Sequence, residues 1–271
     1  MTVAQARSAA PPSEAAVKVG RGALLITAAK VVFLITGAVV NFSLASLLTP
    51  KEYGDYGVTI RWVSLLNMMV VQGLLQGMSR AVAQAPQSAG VVRTQALPVV
   101  TTISLVTGGL VLLLASPLAG ALGDEGLTPL LRTAALITTS YAFYAALVGI
   151  INGLQRFKAQ ALLDMGFSTT KMVFILAGAA LGLGAQGSVA GFGVAAVVMA
   201  VLTASVATGL GKEPLATRLT FGSFLSFSGW VMGYQALLNL LMFLDLALVR
   251  RAAGLGALPT EAAGLYAGAV N

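Results

Sequence analysis

The sequence predicts an all-α integral membrane protein, and three observations lead to that fold class. Of the 271 residues, 57% are hydrophobic and only 9% are charged, and the mean hydropathy is +0.89. A soluble domain carries roughly 25% charged residues, so these charges are too few to cover a water-facing surface. The segments 99–114 and 190–206 are almost continuously apolar. Such runs lack the alternation of a membrane β-strand, and they favour helices that cross lipid.

The composition also excludes several classes of function. The chain has no cysteine and no histidine, which removes thiolate and imidazole metal sites, a cysteine nucleophile and a histidine base. It has no phosphate-binding loop of the Gly-x-x-x-x-Gly-Lys-Ser/Thr type, so ATP is not expected to drive it directly. We predict no enzymatic activity, metal or cofactor. The net charge of +7 comes from basic residues scattered between apolar runs, which is typical of membrane loops and not of nucleic-acid binding.

The predicted helices follow one another along the chain, and a span needs ~20 apolar residues to cross a bilayer. A small, polar tail at 1–19 precedes them, and its composition predicts disorder. Six spans follow, at 20–48, 54–82, 95–122, 128–153, 159–184 and 187–211. After a polar segment at 212–221, a seventh helix is predicted at 222–249, and 261–271 has the pattern of the first turns of an eighth.

Basic residues predict the orientation of these helices, because cytoplasmic loops collect Lys and Arg. The N-terminus and the links after the second, fourth and sixth helices carry nine, against three in the opposite loops. The first set is Arg7, Lys18, Arg21, Arg80, Arg93, Arg156, Lys158, Lys212 and Arg218; the second is Lys51, Arg250 and Arg251. We therefore predict a cytoplasmic N-terminus, to which the Arg250–Arg251 pair is the exception.

A short motif occurs twice, after the first and after the seventh helix. Both copies, at 48–56 and 258–266, read Pro-x-Glu followed by Gly-x-Tyr. The positions involved are Pro50, Glu52, Tyr53, Gly54, Pro259, Glu261, Gly264 and Tyr266. Proline ends one helix, and a glutamate in the first turn of the next suits the helix dipole. An even number of intervening helices predicts a parallel repeat, and two unrelated hairpins with ordinary turn chemistry are the alternative.

Three segments resemble the polysaccharide flippases of the multidrug/oligosaccharidyl-lipid/polysaccharide (MOP) exporter superfamily. The sequence LASLLTPKEYGDY at 44–56 is similar to the first hairpin of that family, with Thr49 in place of the usual glycine. GIINGLQRF at 149–157 resembles the end of its fourth helix. The segment 224–254 resembles its seventh helix, with Asp245 at the position of an acidic residue. The resemblance covers about 20–271.

This resemblance implies a carrier of two six-helix bundles. The N-terminal bundle would occupy 20–211, with the tail 1–19 and a linker at 212–221 in the cytoplasm. The segment 222–271 would then begin the second bundle with its first one to two helices. The implied function is flipping of a lipid-linked oligosaccharide, of the polyprenyl pyrophosphate type, across the bacterial inner membrane by alternating access. Membrane lipids and a polysaccharide polymerase or glycosyltransferases of the same pathway are the further expected partners.

Three other functions stay open on the sequence. One is a multidrug or cation antiporter of the same superfamily, which should have an acidic, aromatic pocket. Another is an inactive half-carrier. The third is a membrane glycosyl- or acyltransferase, which the short loops between the spans disfavour.

Polar residues within the spans are the candidates for a translocation cleft. An ionisable group in a span costs roughly 2.5–3.5 kcal/mol to insert, so it usually faces a cavity or a partner. The candidates are Lys30, Asn41, Arg61, Gln72, Asp164, Lys171 and Asp245. Lys30 and Asn41 are about three helical turns apart and share a face. Lys171 lies near the midplane, ~18 Å along its helix from Ala159. A hydrated cleft, positive at Lys30, Arg61 and Lys171, would receive an anionic pyrophosphate.

Simpler explanations apply to most of these residues. Lys30 and Arg61 can extend to the membrane interfaces along apolar stems. Asp164 is expected to make a structural contact with Lys158 or Lys171. Lys171 is the residue that such explanations fit least, because it is deep and only Asp164 shares its helix face.

Overall fold

The computed structural model describes residues 14–207, 210 and 221–254, apart from the side chains of 14–19, 21, 23, 221 and 242–254. All regular structure in these ranges is helical, as predicted. The long helices are α1 (Glu14–Leu47), α2 (Pro50–Gln84), α3 (Ala89–Ala121), α4 (Thr128–Gly153), α5 (Phe157–Ala180), α6 (Gly184–Val206) and α7 (Phe221–Gly254). By length and composition, six of them, α1 to α6, can each cross a bilayer.

The start of α2 is set by a reciprocal cap. The Thr49 hydroxyl accepts a hydrogen bond from the Glu52 amide, and the Glu52 carboxylate accepts one from the Thr49 amide at 3.0 Å. Together with Pro50 in the first helical turn, this capping box starts α2 four residues before the predicted position.

The bounds of the other helices except α4 also differ from the prediction. α3 begins at Ala89 and not at 95, α6 spans Gly184–Val206 and not 187–211, and α7 spans Phe221–Gly254 and not 222–249. α5 ends at Ala180 and not at 184, because Gly182 and Gly184 adopt φ of +75° and +59°, a conformation that stops a helix. α1 begins at Glu14, so residues 14–19, assigned to the disordered tail, are helical. The last proline of that tail is Pro12, and nothing after it interrupts a helix. The predicted eighth helix lies outside the described residues.

α4 is the central helix of the bundle. In its most apolar stretch 78% of the residues are buried, against 17% in that of α1. It packs against α2, α3 and α6, whereas α1 packs mainly on α5 and α7 packs on α2. α1 makes few contacts with α2, its neighbour in sequence. This leaves a space between α1 and α2, and α4, α5 and α6 form its inner wall.

Glycines allow the closest helix contacts. A methyl group at Gly149 of α4 would stand 2.6 Å from the Leu75 carbonyl oxygen of α2, so only hydrogen fits there. At the α5–α6 contact, a methyl at Gly178 would collide with the backbone of Gly187, and one at Gly191 with the backbone of Phe174. Small residues at such positions let membrane helices approach and pack by dispersion forces.

The loops fall alternately at two ends of the bundle. At one end the Arg93 guanidinium donates a 2.8 Å hydrogen bond to the Ala207 carbonyl, which joins the start of α3 to the end of α6. At the other end, Lys51 lies 3.2 Å from Asp55 and 3.9 Å from Asp124, between the α1–α2 and α3–α4 links. Alternating ends are what successive membrane-spanning helices require.

Candidate functional site

A cavity of about 560 Å³ opens in the space between α1 and α2. Its walls come from five helices, α1, α2, α4, α5 and α6. The residues that line it are Phe33, Gly37, Val40, Asn41, Tyr56, Ile60, Ser64, Asn67, Met68, Val71, Gln72, Tyr141, Phe167, Lys171, Ile175 and Phe192. Three predicted site residues, Asn41, Gln72 and Lys171, therefore meet here although they come from three different helices.

Lys171 supplies the charge of this cavity. Its ammonium nitrogen lies 4.5 Å from the ring centre of Phe33 on α1 and 5.3 Å from that of Phe192 on α6. Within the described part of the chain, Lys171 is the only charged side chain that lines the cavity, and no carboxylate lies within 4.0 Å of it. Two aromatic faces thus stabilise a cation that has no ion-pair partner among the described residues.

An aromatic cluster forms one wall beside Lys171. Tyr141 and Phe167 stack at 4.8 Å between ring centres with 9° between their planes. Tyr144 stacks on the same Phe167 at 4.8 Å, and Phe192 meets it edge-on at 6.3 Å. Sequence reasoning missed this wall, because its rings come from α4, α5 and α6. The i, i+3 spacing of Tyr141 and Tyr144 was the only local signal.

Uncharged polar groups line the opposite side. Asn67 is 6% exposed, and its side-chain oxygen has no hydrogen-bond partner among the described residues. Gln72 lies about one turn beyond it on α2. Asn41 on α1 uses its amide to bond the Gly37 carbonyl at 3.0 Å, which leaves its oxygen as an acceptor. The cavity thus combines one cation, several amide groups and a set of aromatic faces.

The other predicted site residues lie elsewhere. Lys30 and Arg61 are exposed on α1 and α2 and do not line the cavity. The carboxylate of Asp164 accepts a 3.2 Å hydrogen bond from the Tyr144 hydroxyl. The expected contact of Asp164 with Lys158 or Lys171 was wrong, since neither lies within 4.0 Å of it. The side chain of Asp245 is outside the described part of α7.

The first copy of the repeated motif has a structural role at the far end of the bundle. Pro50 and Glu52 start α2, and Tyr53 packs against the core. Gly54 faces open space. The Glu52 carboxylate also lies so close to Gly184, in the α5–α6 turn, that a methyl group there would collide with it. The second copy, Pro259, Glu261, Gly264 and Tyr266, lies outside the described residues.

The chain matches known proteins in sequence family and in fold. A family model described as "Polysaccharide biosynthesis protein" matches residues 19–271. No curated protein matches the chain. Six chains of solved structures match it.

Three of these structures show the extent of the likeness. A multidrug resistance MATE family transporter of the MOP superfamily, in an outward-facing conformation, is similar with a TM-score of 0.72 and 17% identity, over 93% of this chain and 58% of its own. A MATE in complex with MaD5 has a TM-score of 0.72 and 16% identity, over 87% and 57%. A MOP superfamily transporter from Pyrococcus furiosus, described by the reverse polarity of its binding pocket, has a TM-score of 0.66 and 17% identity, over 86% and 55%. The chain thus spans between 55% and 58% of the length of these three structures.

Proposed function

This chain belongs to the polysaccharide biosynthesis protein family, and on that premise we propose that it forms one bundle of a carrier for lipid-linked oligosaccharides. The carrier would move its substrate across the bacterial inner membrane by alternating access, with the N-terminus of this chain in the cytoplasm. Residues 20–211 would be the N-terminal bundle, 212–221 a cytoplasmic linker and 222–271 the start of the second bundle.

The observation that carries this proposal is the charge of the cavity. Lys171 is about 21 Å along α5 from Phe157, so it lies near the middle of the span. A cation at that depth, with no carboxylate among the described lining residues, favours an anionic ligand such as a pyrophosphate. A cation antiporter would be expected to present the opposite charge.

The walls of the cavity also suit a sugar. Asn41, Asn67 and Gln72 offer amide groups to hydroxyls, and the unpartnered Asn67 oxygen is ready to accept a hydrogen bond. The Tyr141–Phe167 stack offers apolar ring faces of the kind that pack against the C–H faces of a pyranose. Because α1 and α2 make few contacts, a gap between them would open toward the bilayer. A lipid tail could pass through this gap and stay in the bilayer while the head group occupies the cavity.

The lysine provides the direct test. We expect Lys171→Ala to abolish export of the surface polysaccharide in cells that depend on this gene, while the amount of inserted protein stays unchanged. Lys171→Arg, which keeps the charge, should restore part of the export. Lys158→Ala is the matched control, because Lys158 is exposed on the same helix and lies outside the cavity. Unchanged export by Lys171→Ala would remove this residue from the site.

The rival function is tested in the same membranes. The fold likeness to multidrug MATE transporters favours a cation antiporter as the second candidate. Uptake of cationic dyes that dissipates an ion gradient, and that survives Lys171→Ala, would support the antiporter and contradict the flippase.

A further inference from the structure

A second cavity, of about 460 Å³, lies between the last turns of α2 and the first turns of α7. Its polar lining comes from Arg80 and Gln84 on α2 and from Ser223 and Ser226 on α7, and its aromatic lining from Phe224, Phe227 and Trp230. It is separate from the Lys171 cavity, since Arg80 is eight residues, or about 12 Å, beyond Gln72 along α2. The proposed translocation pathway makes no use of it.

Two glycines bring α2 and α7 into contact beside this cavity. Gly73 and Gly77 are one turn apart on α2, and methyl groups at these positions would collide with Met232 and Ser228 of α7. The two helices therefore touch there, and they leave a recess in the next turn, where Arg80 follows Gly77.

The guanidinium of Arg80 is held at the mouth of the recess. It lies 4.3 Å from the ring centre of Phe227, a cation–π contact that orients it along α7. Among the described residues, no carboxylate lies within 4.0 Å of it. A guanidinium fixed in this way, with the Gln84 amide and the Ser226 hydroxyl beside it, presents several donors to one anion. Its planar fork suits the oxygens of a phosphate.

The surroundings place this site at the membrane surface. Arg80 is one turn from the end of α2, at the same end of the bundle as the Arg93–Ala207 bond. Trp230 is 76% exposed one turn deeper on α7. Tryptophan is enriched at the level of lipid head groups, and juxtamembrane arginines attract anionic lipids. Arg80, nearer the membrane surface, is at the level of a lipid head group, and Trp230, one turn deeper, is at the level of the upper acyl chain.

We propose that this recess binds the phosphate of an anionic membrane lipid, with Arg80 as its anchor and Trp230 against the acyl chain. This lipid binding does not depend on whether the Lys171 cavity carries an oligosaccharide.

Tryptophan fluorescence gives a direct test. The sequence has two tryptophans, so Trp62→Phe leaves Trp230 as the sole emitter. This variant of the 271-residue chain is reconstituted into phosphatidylcholine vesicles that contain increasing amounts of phosphatidylglycerol, with bromine on the acyl chains of one lipid or the other. We expect brominated phosphatidylglycerol to quench Trp230 at a mole fraction about fivefold lower than brominated phosphatidylcholine.

Charge variants test whether Arg80 causes the preference for phosphatidylglycerol. Arg80→Gln should remove the preference for phosphatidylglycerol, and Arg80→Lys should keep part of it. Arg156→Gln is the matched control, because Arg156 is an exposed arginine predicted at the same end of the bundle, outside the recess. Its preference should be unchanged. Equal quenching by the two lipids before any Arg80 change, or equal loss in the Arg80→Gln and Arg156→Gln variants, would overturn the proposal.

A soluble phosphate is distinguished from a lipid in the same experiment. If the site binds a lipid, inorganic pyrophosphate in the buffer should leave quenching by phosphatidylglycerol unchanged at constant ionic strength. Displacement of the brominated lipid by pyrophosphate, with no preference between the two lipids, would assign the recess to soluble phosphates and overturn the lipid assignment.

Discussion

Among the described residues, the ammonium group of Lys171 has no carboxylate within 4.0 Å. A lysine inside a span costs roughly 2.5–3.5 kcal/mol on insertion scales, and the rings of Phe33 and Phe192 offset part of this cost. A cation–π contact is worth about 0.5–1 kcal/mol when exposed and about 2 kcal/mol when desolvated. The two rings therefore hold the lysine in place, and no carboxylate among the described residues competes with a ligand for it.

We predict a measurable coupling between Lys171 and Phe33. In a double-mutant cycle of Lys171→Met and Phe33→Leu, we expect a coupling of about 0.5–2 kcal/mol in the free energy of unfolding, measured in mixed micelles. The control pairs Lys171→Met with Phe42→Leu, since Phe42 is 79% exposed on the same helix and does not line the cavity. Zero coupling in the first cycle, or equal coupling in both, would show that the aromatic contact does not stabilise the lysine.

At the scale of the element, the α5–α6 pair depends on backbone contact. Gly178 faces the backbone of Gly187, and Gly191 faces that of Phe174. The backbone cannot shift to make room for an added methyl group, as a flexible side chain can. The pair forms one wall of the Lys171 cavity, so this contact also sets the distance between Lys171 and Phe192.

We predict that Gly178→Ala destabilises the bundle. Overpacking costs about 1–3 kcal/mol, which exceeds the ~1 kcal/mol by which alanine is favoured over glycine inside a helix. The midpoint of thermal unfolding in one detergent should therefore fall. Gly109→Ala on α3 is the control, because no atom lies within 4 Å of the added methyl group, and its midpoint should stay the same or rise. A Gly178→Ala midpoint at or above the native value would contradict the close α5–α6 contact.

At the scale of the whole molecule, the chain is a multi-pass membrane protein with the predicted MOP-type fold. Six described helices have the length and composition of spans, and the fold matches a MOP superfamily transporter with a TM-score of 0.72. At one end of the bundle, the Lys51–Asp124 pair joins the α1–α2 link to the α3–α4 link, and Glu52 lies against Gly184. At the opposite end, α1 comes close to α5, where a methyl at Gly22 would collide with Phe157.

The orientation of the whole bundle is predicted from its loop charges and is open to a direct measurement. The native chain has no cysteine, so single cysteines react without background. Gln87→Cys lies in the exposed α2–α3 link and Glu125→Cys in the exposed α3–α4 link. We expect a membrane-impermeant maleimide to label Glu125→Cys in intact spheroplasts and Gln87→Cys only after permeabilisation. The reverse pattern would invert the predicted topology, and labelling of both from outside would contradict an odd number of crossings between them.

The sequence alone determined the number, order and approximate limits of the described helices. The reason is that the thickness of a bilayer imposes a length of apolar chain that is visible without any contact information. The predicted and observed ranges of α4 coincide at 128–153. The start of α2 and the end of α5 differ by four residues each, because a capping box and two left-handed glycines set them. The starts of α1 and α3 differ by six residues each. Lys171 was also identifiable from the sequence, because it lies too deep in its helix for its side chain to extend to a membrane interface.

Only the tertiary structure decided which polar residues share a cavity. Lys30 and Arg61 follow the same rules of spacing as Asn41 and Gln72, yet only the second pair lines the cavity. The difference depends on which neighbouring helix covers each face, and helix periodicity carries no information about neighbours. The aromatic wall beside Lys171, the Tyr144 bond of Asp164 and the recess at Arg80 arise in the same way. Each requires side chains from separate helices, which meet only when the bundle has packed.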